Sequence, residues 1–100
     1  MREITIDQAA SGIEDGATLV DVREPDEYRE GHVPGAVNVP MSQLTGRLGE
    51  IRRDGPVYVV CASGNRSSAM TDVLVAAGFD AVNVDGGTAA WIRSGRPIEK

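Results

Sequence analysis

The chain has 100 residues, of which 41% are hydrophobic and 25% are charged, and its formal net charge is -5. This length suits one core, so residues 1–100 are expected to form a single domain. The acidic balance disfavours nucleic acid or an anionic membrane surface as the main partner. The longest apolar run, residues 57–62, is far shorter than the roughly 20 residues that cross a bilayer, so no membrane partner is expected.

The chain contains a single cysteine, Cys61, and therefore cannot form an internal disulfide. Small secreted proteins more often carry an even set of cysteines, so a reducing compartment, the cytoplasm, is expected. The first ten residues are charged at the second and third positions, which is unlike a signal peptide. One cysteine and one histidine fall short of the ligands that zinc takes from protein. We expect neither a metal nor another cofactor.

The first half of the chain alternates strands with helices. A short strand is predicted over 3–5, followed by a helix over 7–13. The run 18–22 is typical of a buried strand, and 24–30 is typical of a helix. Pro25 would stand at the first position of that helix, where a missing N–H costs nothing.

The same alternation continues through the middle of the chain. A glycine- and proline-rich turn leads into a predicted strand over 36–39. Ser42 is then expected to cap a helix over 43–51. The run 56–60 is apolar and β-branched, which is typical of a strand that is buried on both faces of a parallel sheet.

The last third of the chain predicts a helix, a strand and a final helix. Apolar residues from about Ser67 fall on one helical face until Gly78, which ends the helix. A strand follows over 81–84, and Thr88 is expected to cap the last helix, which runs through Trp91. Five strands alternating with helices predict an α/β fold, a three-layer α/β/α arrangement around a parallel sheet.

Cys61 stands where the fourth predicted strand ends, and ligands of such sheets bind beyond the carboxyl ends of the strands. A tight loop that feeds a helix can turn several N–H groups inward and bind an anion, either an oxyanion or the sulfur itself. The loop after the cysteine is made mostly of small residues: Ala62, Ser63, Gly64, Asn65, Arg66 and Ser67.

Two interpretations of Cys61 remain open. A lone cysteine after a valine-rich run is usually a small buried hydrophobe. A nucleophilic cysteine needs a stabilised thiolate, and lowering a thiol pKa by about two units requires roughly 2.7 kcal/mol. A helix N-terminus supplies up to about 2 kcal/mol, and aimed N–H donors with the Arg66 guanidinium can supply the remainder. The glycine, asparagine and arginine behind Cys61 favour the reactive thiol.

Five residues carry both a functional and a structural interpretation. Asp21 and Arg23, near the same sheet edge, could shape the pocket, but a structural ion pair is favoured. His32 invites a general-base role because histidine is the side chain most often used for it, yet its turn sequence favours a structural hydrogen bond. Ser67 could donate to the sulfur or cap the helix. The Arg66 side chain could face the pocket or turn outward into solvent.

The segment "CASGNRS" resembles the active-site loop of the rhodanese-type sulfurtransferases, C-x-x-G-x-R-S. Residues 21–40 and 85–97 are similar to the N-terminal and C-terminal signatures of that family. The resemblance implies a five-stranded parallel sheet in the order 3-2-4-5-1. It also implies that a sulfur donor such as thiosulfate or a persulfide converts Cys61 into a persulfide. An acceptor, which is cyanide, a small thiol or a thiol-bearing protein, then removes the sulfur.

Two alternatives and one departure accompany this resemblance. Related phosphatases use a longer loop, C-x5-R, whereas here Arg66 follows Cys61 after four residues, so phosphatase chemistry is disfavoured. The other alternative is a non-catalytic sulfur carrier or partner-binding module. Many single-domain members have arginine directly after the cysteine, where this chain has Ala62. We therefore expect modest turnover of thiosulfate and a preference for a persulfide or small thiol donor.

Overall fold

Five parallel strands form one sheet at the centre of the computed structural model, which describes all residues 1–100. They are β1 (Glu3–Ile4), β2 (Thr18–Asp21), β3 (Val37–Asn38), β4 (Val57–Val60) and β5 (Ala81–Val84). Their spatial order is β3-β2-β4-β5-β1. The predicted fold class and strand order are therefore confirmed.

Four α-helices and two 3₁₀ segments connect the strands. The helices are α1 (Ile6–Glu14), α2 (Pro25–Glu30), α3 (Asn65–Ala76) and α4 (Gly87–Arg93). The 3₁₀ segments cover Met41–Gly46 and Leu48–Glu50. None of the helices is long and apolar enough to cross a membrane.

Side chains of β4 alternate between two apolar clusters, one on each face of the sheet. Val57 and Val59 pack in a cluster that includes Leu74 of α3. Val60 packs on the opposite face, in a cluster that includes Trp91 of α4. This alternation follows from the two-residue period of a strand. A run of three buried valines and one half-buried tyrosine, Tyr58, therefore fills this part of the middle layer of three.

The predicted helix over 43–51 is wrong, because that segment forms two short 3₁₀ turns instead. Ser42 lies inside the first turn and does not cap a helix. Gly46 and Gly49 both oppose an α-helix by raising its backbone entropy cost. Leu44 is nevertheless fully buried, so the apolar spacing correctly identified a side chain of the core while misassigning the backbone around it.

The starts of the last two helices also differ from prediction. Helix α3 begins at Asn65, two residues before the predicted start, so Ser67 is an interior residue and not a cap. Helix α4 begins at Gly87, and Thr88 is not its cap either. In both helices a glycine in the left-handed region precedes the first helical residue, with φ 109° at Gly64 and 79° at Gly86. No polar side chain caps the first turn of either helix.

Replacing Leu44 with alanine is expected to lower the free energy of unfolding by about 2–4 kcal/mol, because a fully buried side chain would leave a cavity. Urea denaturation measures the change. Thr45→Ala, at an exposed position of the same 3₁₀ turn, is the matched control and should stay within about 0.5 kcal/mol of the parent. Equal losses in both variants would contradict the assignment of Leu44 to the core.

Candidate active site

Cys61 directly follows β4, which lies between β2 and β5 in the sheet. Its side chain is only 1% exposed. The sulfur accepts a hydrogen bond from the backbone N–H of Gly64 at 3.1 Å and another from the Ser67 hydroxyl at 3.3 Å. Cys61 also packs in the apolar cluster that contains Leu74, but packing alone does not require two donors to point at its sulfur. The loop therefore forms a hydrogen-bonded cradle around the sulfur.

The cradle favours the ionised form of the thiol. Burial of the sulfur is the largest single influence, and it acts to raise the pKa of Cys61. The Ser67 hydroxyl and the backbone N–H groups of Ser67, Gly64 and Ser63 act in the opposite direction. Their combined effect outweighs burial, so the pKa of Cys61 lies below its ordinary value. A lowered pKa raises the thiolate fraction at neutral pH, and the thiolate is the nucleophile.

The first turn of α4 supports the cysteine loop through backbone hydrogen bonds. The N–H of Thr88 donates to the Cys61 carbonyl and the N–H of Ala89 donates to the Ala62 carbonyl, both at 2.9 Å. A Cβ atom at Gly87 would lie 2.5 Å from the Cys61 carbonyl oxygen, and φ there is +58°. Only glycine allows this approach. The position of the loop therefore depends on a second segment of the chain.

Gly64 is held in place from the sheet side. Its carbonyl oxygen accepts the N–H of Ser68 at 3.1 Å, as the first turn of α3 requires, and faces the side-chain amide of Asn83 at 3.4 Å. Asn83 is fully buried in β5, and its amide also donates to Glu3 of β1 at 2.9 Å. These contacts orient the peptide units around Gly64, whose own N–H points at the sulfur.

The Arg66 side chain is in neither of the two expected orientations. It pairs with Glu27 of α2 through two hydrogen bonds, of 2.7 and 3.0 Å. The Arg66 guanidinium lowers the pKa of Glu27 to about 2. Both side chains are about one-third exposed. The cation nearest to the cysteine in sequence is thus bound to a carboxylate and does not contact the sulfur.

Asp21 and Arg23 form a buried ion pair at the end of β2. The Arg23 side chain donates to both carboxylate oxygens of Asp21, at 2.8 to 3.1 Å, and to the carbonyl of Gly31 at 2.9 Å. The Arg23 backbone N–H also donates to Asp21, at 3.0 Å. Neither side chain contacts Cys61. This geometry is that of the structural pair favoured by the sequence, because it fastens the loop that leads into α2.

His32 lies in a separate hydrogen-bonded turn. Its Nδ1 is 2.9 Å from the carbonyl of Tyr28, and the two aromatic rings stack at 3.7 Å. Nε2 is 3.8 Å from the Glu99 carboxylate. Nδ1 thus has a backbone partner, Nε2 faces a carboxylate and neither nitrogen is hydrogen-bonded to the cysteine, so His32 is not positioned to take a proton from Cys61. The structural interpretation of its turn sequence agrees with this placement.

The structure thus brings part of the predicted site together and leaves the remainder apart. Ser63, Gly64 and Ser67 direct donors toward Cys61, whereas Asn65 is exposed and directs none. Sequence reasoning missed three contributors: Glu27, Asn83 and the glycine pair at 86–87. The charge of Glu27 opposite Arg66 has no local sequence signal, because 39 residues separate them. The paired glycines were visible as a motif, but nothing local indicated what they approach.

Comparison with known proteins identifies the family to which this chain is similar. The model of the rhodanese-like domain family matches residues 5–94. An uncharacterized protein of Bacillus subtilis, YqhL, is 40% identical over 92 residues, which are 91% of this chain and 72% of that protein. The crystal structure of a rhodanese-related protein from Thermoplasma volcanium superposes with a TM-score of 0.93 at 35% identity, covering 99% of this chain and 98% of that one.

A third relative places a similar domain in a larger protein. A HTH-type transcriptional regulator of Mycobacterium tuberculosis is 36% identical over 85 residues, which are 83% of this chain but only 38% of the regulator. Fold and loop together define an α/β domain that presents one cysteine at the carboxyl edge of a parallel sheet. Within that class, the chain belongs to the rhodanese-like domain family.

Replacing Ser67 with alanine should raise the pKa of Cys61, because the sulfur loses its one side-chain donor. Alkylation by iodoacetamide at pH 7 is then expected to slow by roughly threefold to tenfold. The difference should disappear at a pH above both pKa values, where the thiol is ionised in either protein. Ser68→Ala, whose hydroxyl contacts Met1 instead, is the control. An unchanged pH profile in the Ser67 variant would contradict the role of this hydrogen bond.

Proposed function

We propose that this protein is a sulfurtransferase of the rhodanese type in which Cys61 is the nucleophile. The observation that carries the proposal is the cradle, in which two donors reach the sulfur at 3.1 and 3.3 Å. Family membership supports the reaction class. Nucleophilic catalysis by cysteine splits one group transfer into two easier steps.

In the first step the Cys61 thiolate attacks the outer sulfur of the donor. With thiosulfate, the new bond joins the two sulfurs, the sulfur–sulfur bond of the donor breaks, and sulfite leaves with the electron pair. With a persulfide donor, a thiolate leaves in its place. The charge moves from Cys61 to the outer sulfur of the new persulfide. The loop N–H groups then lie close to an anionic sulfur, as they did before the step.

In the second step an acceptor nucleophile attacks the outer sulfur. Cyanide gives thiocyanate, and a thiol gives a new persulfide, while the electron pair of the broken bond returns to Cys61 as thiolate. The chain has no second cysteine, so the acceptor must come from outside it. A small thiol or a thiol-bearing protein of a reducing compartment such as the cytoplasm fits this requirement.

The length of the loop separates this proposal from phosphatase chemistry. Four residues lie between Cys61 and Arg66, and the Arg66 guanidinium is occupied by Glu27. A phosphoryl group needs a wider ring of donors and a cation to bind its oxygens. A single transferred sulfur needs only the donors that already face Sγ.

A second candidate is a sulfur-sensing or partner-binding module without turnover. The similarity to 38% of a transcriptional regulator favours this module, because a similar segment forms part of a regulatory protein there. Such a module would still form the Cys61 persulfide but would hold it until a partner protein reads or removes it. Persulfide formation without release to small acceptors distinguishes this candidate from the enzyme.

Intact-protein mass spectrometry after incubation with thiosulfate, and separately with a low-molecular-weight persulfide, tests the first step. We expect a mass gain of one sulfur that cyanide removes and that Cys61→Ser abolishes. The persulfide donor should react more completely than thiosulfate. A protein that gains no sulfur from either donor would refute the proposal, and a persulfide that survives cyanide and thiols would favour the module.

Replacing Ala62 with arginine adds a cation beside the half-buried first residue of the loop. The KM for thiosulfate is expected to fall by roughly threefold to tenfold, because the donor is a dianion and exposed charges interact by up to about 1 kcal/mol. Ala62→Gln controls for side-chain length without charge. Steady-state kinetics with cyanide as acceptor measures the effect, and equal KM values in the two variants would contradict it.

A further inference from the structure

Two ion pairs lie beside the cysteine loop. Asp21 pairs with Arg23 at 2.8 Å, and Glu27 pairs with Arg66 at 2.7 Å. The residue after the cysteine, Ala62, is uncharged. The groups that face the sulfur are N–H dipoles and one hydroxyl, and the arginines of both pairs are bound to carboxylates.

The pair of Glu27 and Arg66 is held in place from both sides. One carboxylate oxygen of Glu27 also accepts the backbone N–H of Glu24 at 3.0 Å, which closes the first turn of α2. Arg66 lies in the first turn of α3, directly behind the loop. Glu27 is thus held at the start of α2 while it binds the Arg66 guanidinium at the start of α3. The guanidinium cannot turn toward Cys61 without breaking two hydrogen bonds.

We propose that Glu27 sets the charge selectivity of Cys61, by keeping Arg66 in a neutral pair so that uncharged or singly charged sulfur donors are preferred to the thiosulfate dianion. This inference rests on the proposed sulfurtransferase function. It adds a residue that contacts neither the sulfur nor the donor and acts through Arg66. Glu27 is therefore a positioning and specificity residue.

The physical basis is the difference between the field of a charge and that of an ion pair. A free guanidinium attracts an approaching anion over roughly the Debye length, about 8–10 Å at physiological salt. A guanidinium bound to a carboxylate presents a dipole, whose attraction falls off faster with distance. A dianion loses about twice as much of this attraction as a monoanion, and a neutral reagent loses none.

The selectivity is measurable without any sulfur transfer. The rates at which iodoacetate, an anion, and iodoacetamide, its neutral analogue, alkylate Cys61 are compared at one thiolate fraction. In Glu27→Gln the ratio of the two rates is expected to rise by roughly twofold to fivefold at low salt. The rise should shrink in 0.5 M salt, where exposed charges are screened.

Two further variants separate a charge effect from a structural one. Asp54→Asn removes an equal charge from another Arg–carboxylate pair, which lies before the amino end of β4, away from the loop. Its ratio should equal that of the parent. The double variant Glu27→Gln with Arg66→Gln removes both members of the loop pair and should restore the parent ratio. If Glu27→Gln acted by distorting the loop, the ratio of the iodoacetate and iodoacetamide rates would remain changed in the double variant.

Donor kinetics complete the test. Glu27→Gln should lower the KM for thiosulfate by roughly threefold to tenfold and leave that for a neutral persulfide within twofold. Unchanged alkylation ratios and donor preference in Glu27→Gln would overturn the inference while the parent still forms its persulfide. A parent that forms no persulfide, together with a shifted alkylation ratio, would instead refute the proposed function and retain the charge role of Glu27.

Discussion

The hydrogen bonds that converge on the Cys61 sulfur depend on how closely two backbone segments approach each other. The cysteine loop lies against the turn at Gly86 and Gly87, where a single Cβ would meet a carbonyl oxygen at 2.5 Å. Two backbone hydrogen bonds of 2.9 Å join the segments. This contact orients the loop so that its N–H groups face inward, and the lowered pKa of Cys61 follows from that orientation. A small domain thereby surrounds its one thiol with backbone N–H donors and a serine hydroxyl.

Two ion pairs organise the surroundings of this site. The buried pair of Asp21 and Arg23 fastens the chain before α2, and the pair of Glu27 and Arg66 joins α2 to the start of α3. Removing Asp21 or Arg23 would leave a buried charge without compensation, at a cost of several kcal/mol. The two pairs therefore organise the surroundings of the thiol while adding no net charge to it. The groups that act directly on the sulfur are the dipoles of backbone N–H groups and of the Ser67 hydroxyl, which the fold holds in position.

Much of the fold could be predicted because it rests on local patterns. The apolar run at 57–60 has the composition of a central parallel strand, and the glycine after α3 marks its end. The prediction of a helix over 43–51 was wrong because apolar spacing indicates which side chains are buried, as at Leu44, but does not determine the backbone conformation between them. Thr88 and Ser67 failed as caps for a related reason. Glycines in the left-handed conformation make both turns, and the two side chains are buried instead.

The sequence by itself determined the α/β class, the position of Cys61 at a strand end and the small residues that let the loop curl. These properties depend on residues within one turn or one strand of each other. Only the tertiary structure decided where Arg66 points, because its partner lies 39 residues away on another helix. The same holds for the donors to the sulfur, whose aim requires β5 and α4 to support the loop. The lowered pKa of Cys61, and the charge selectivity that we propose for it, therefore depend on long-range contacts.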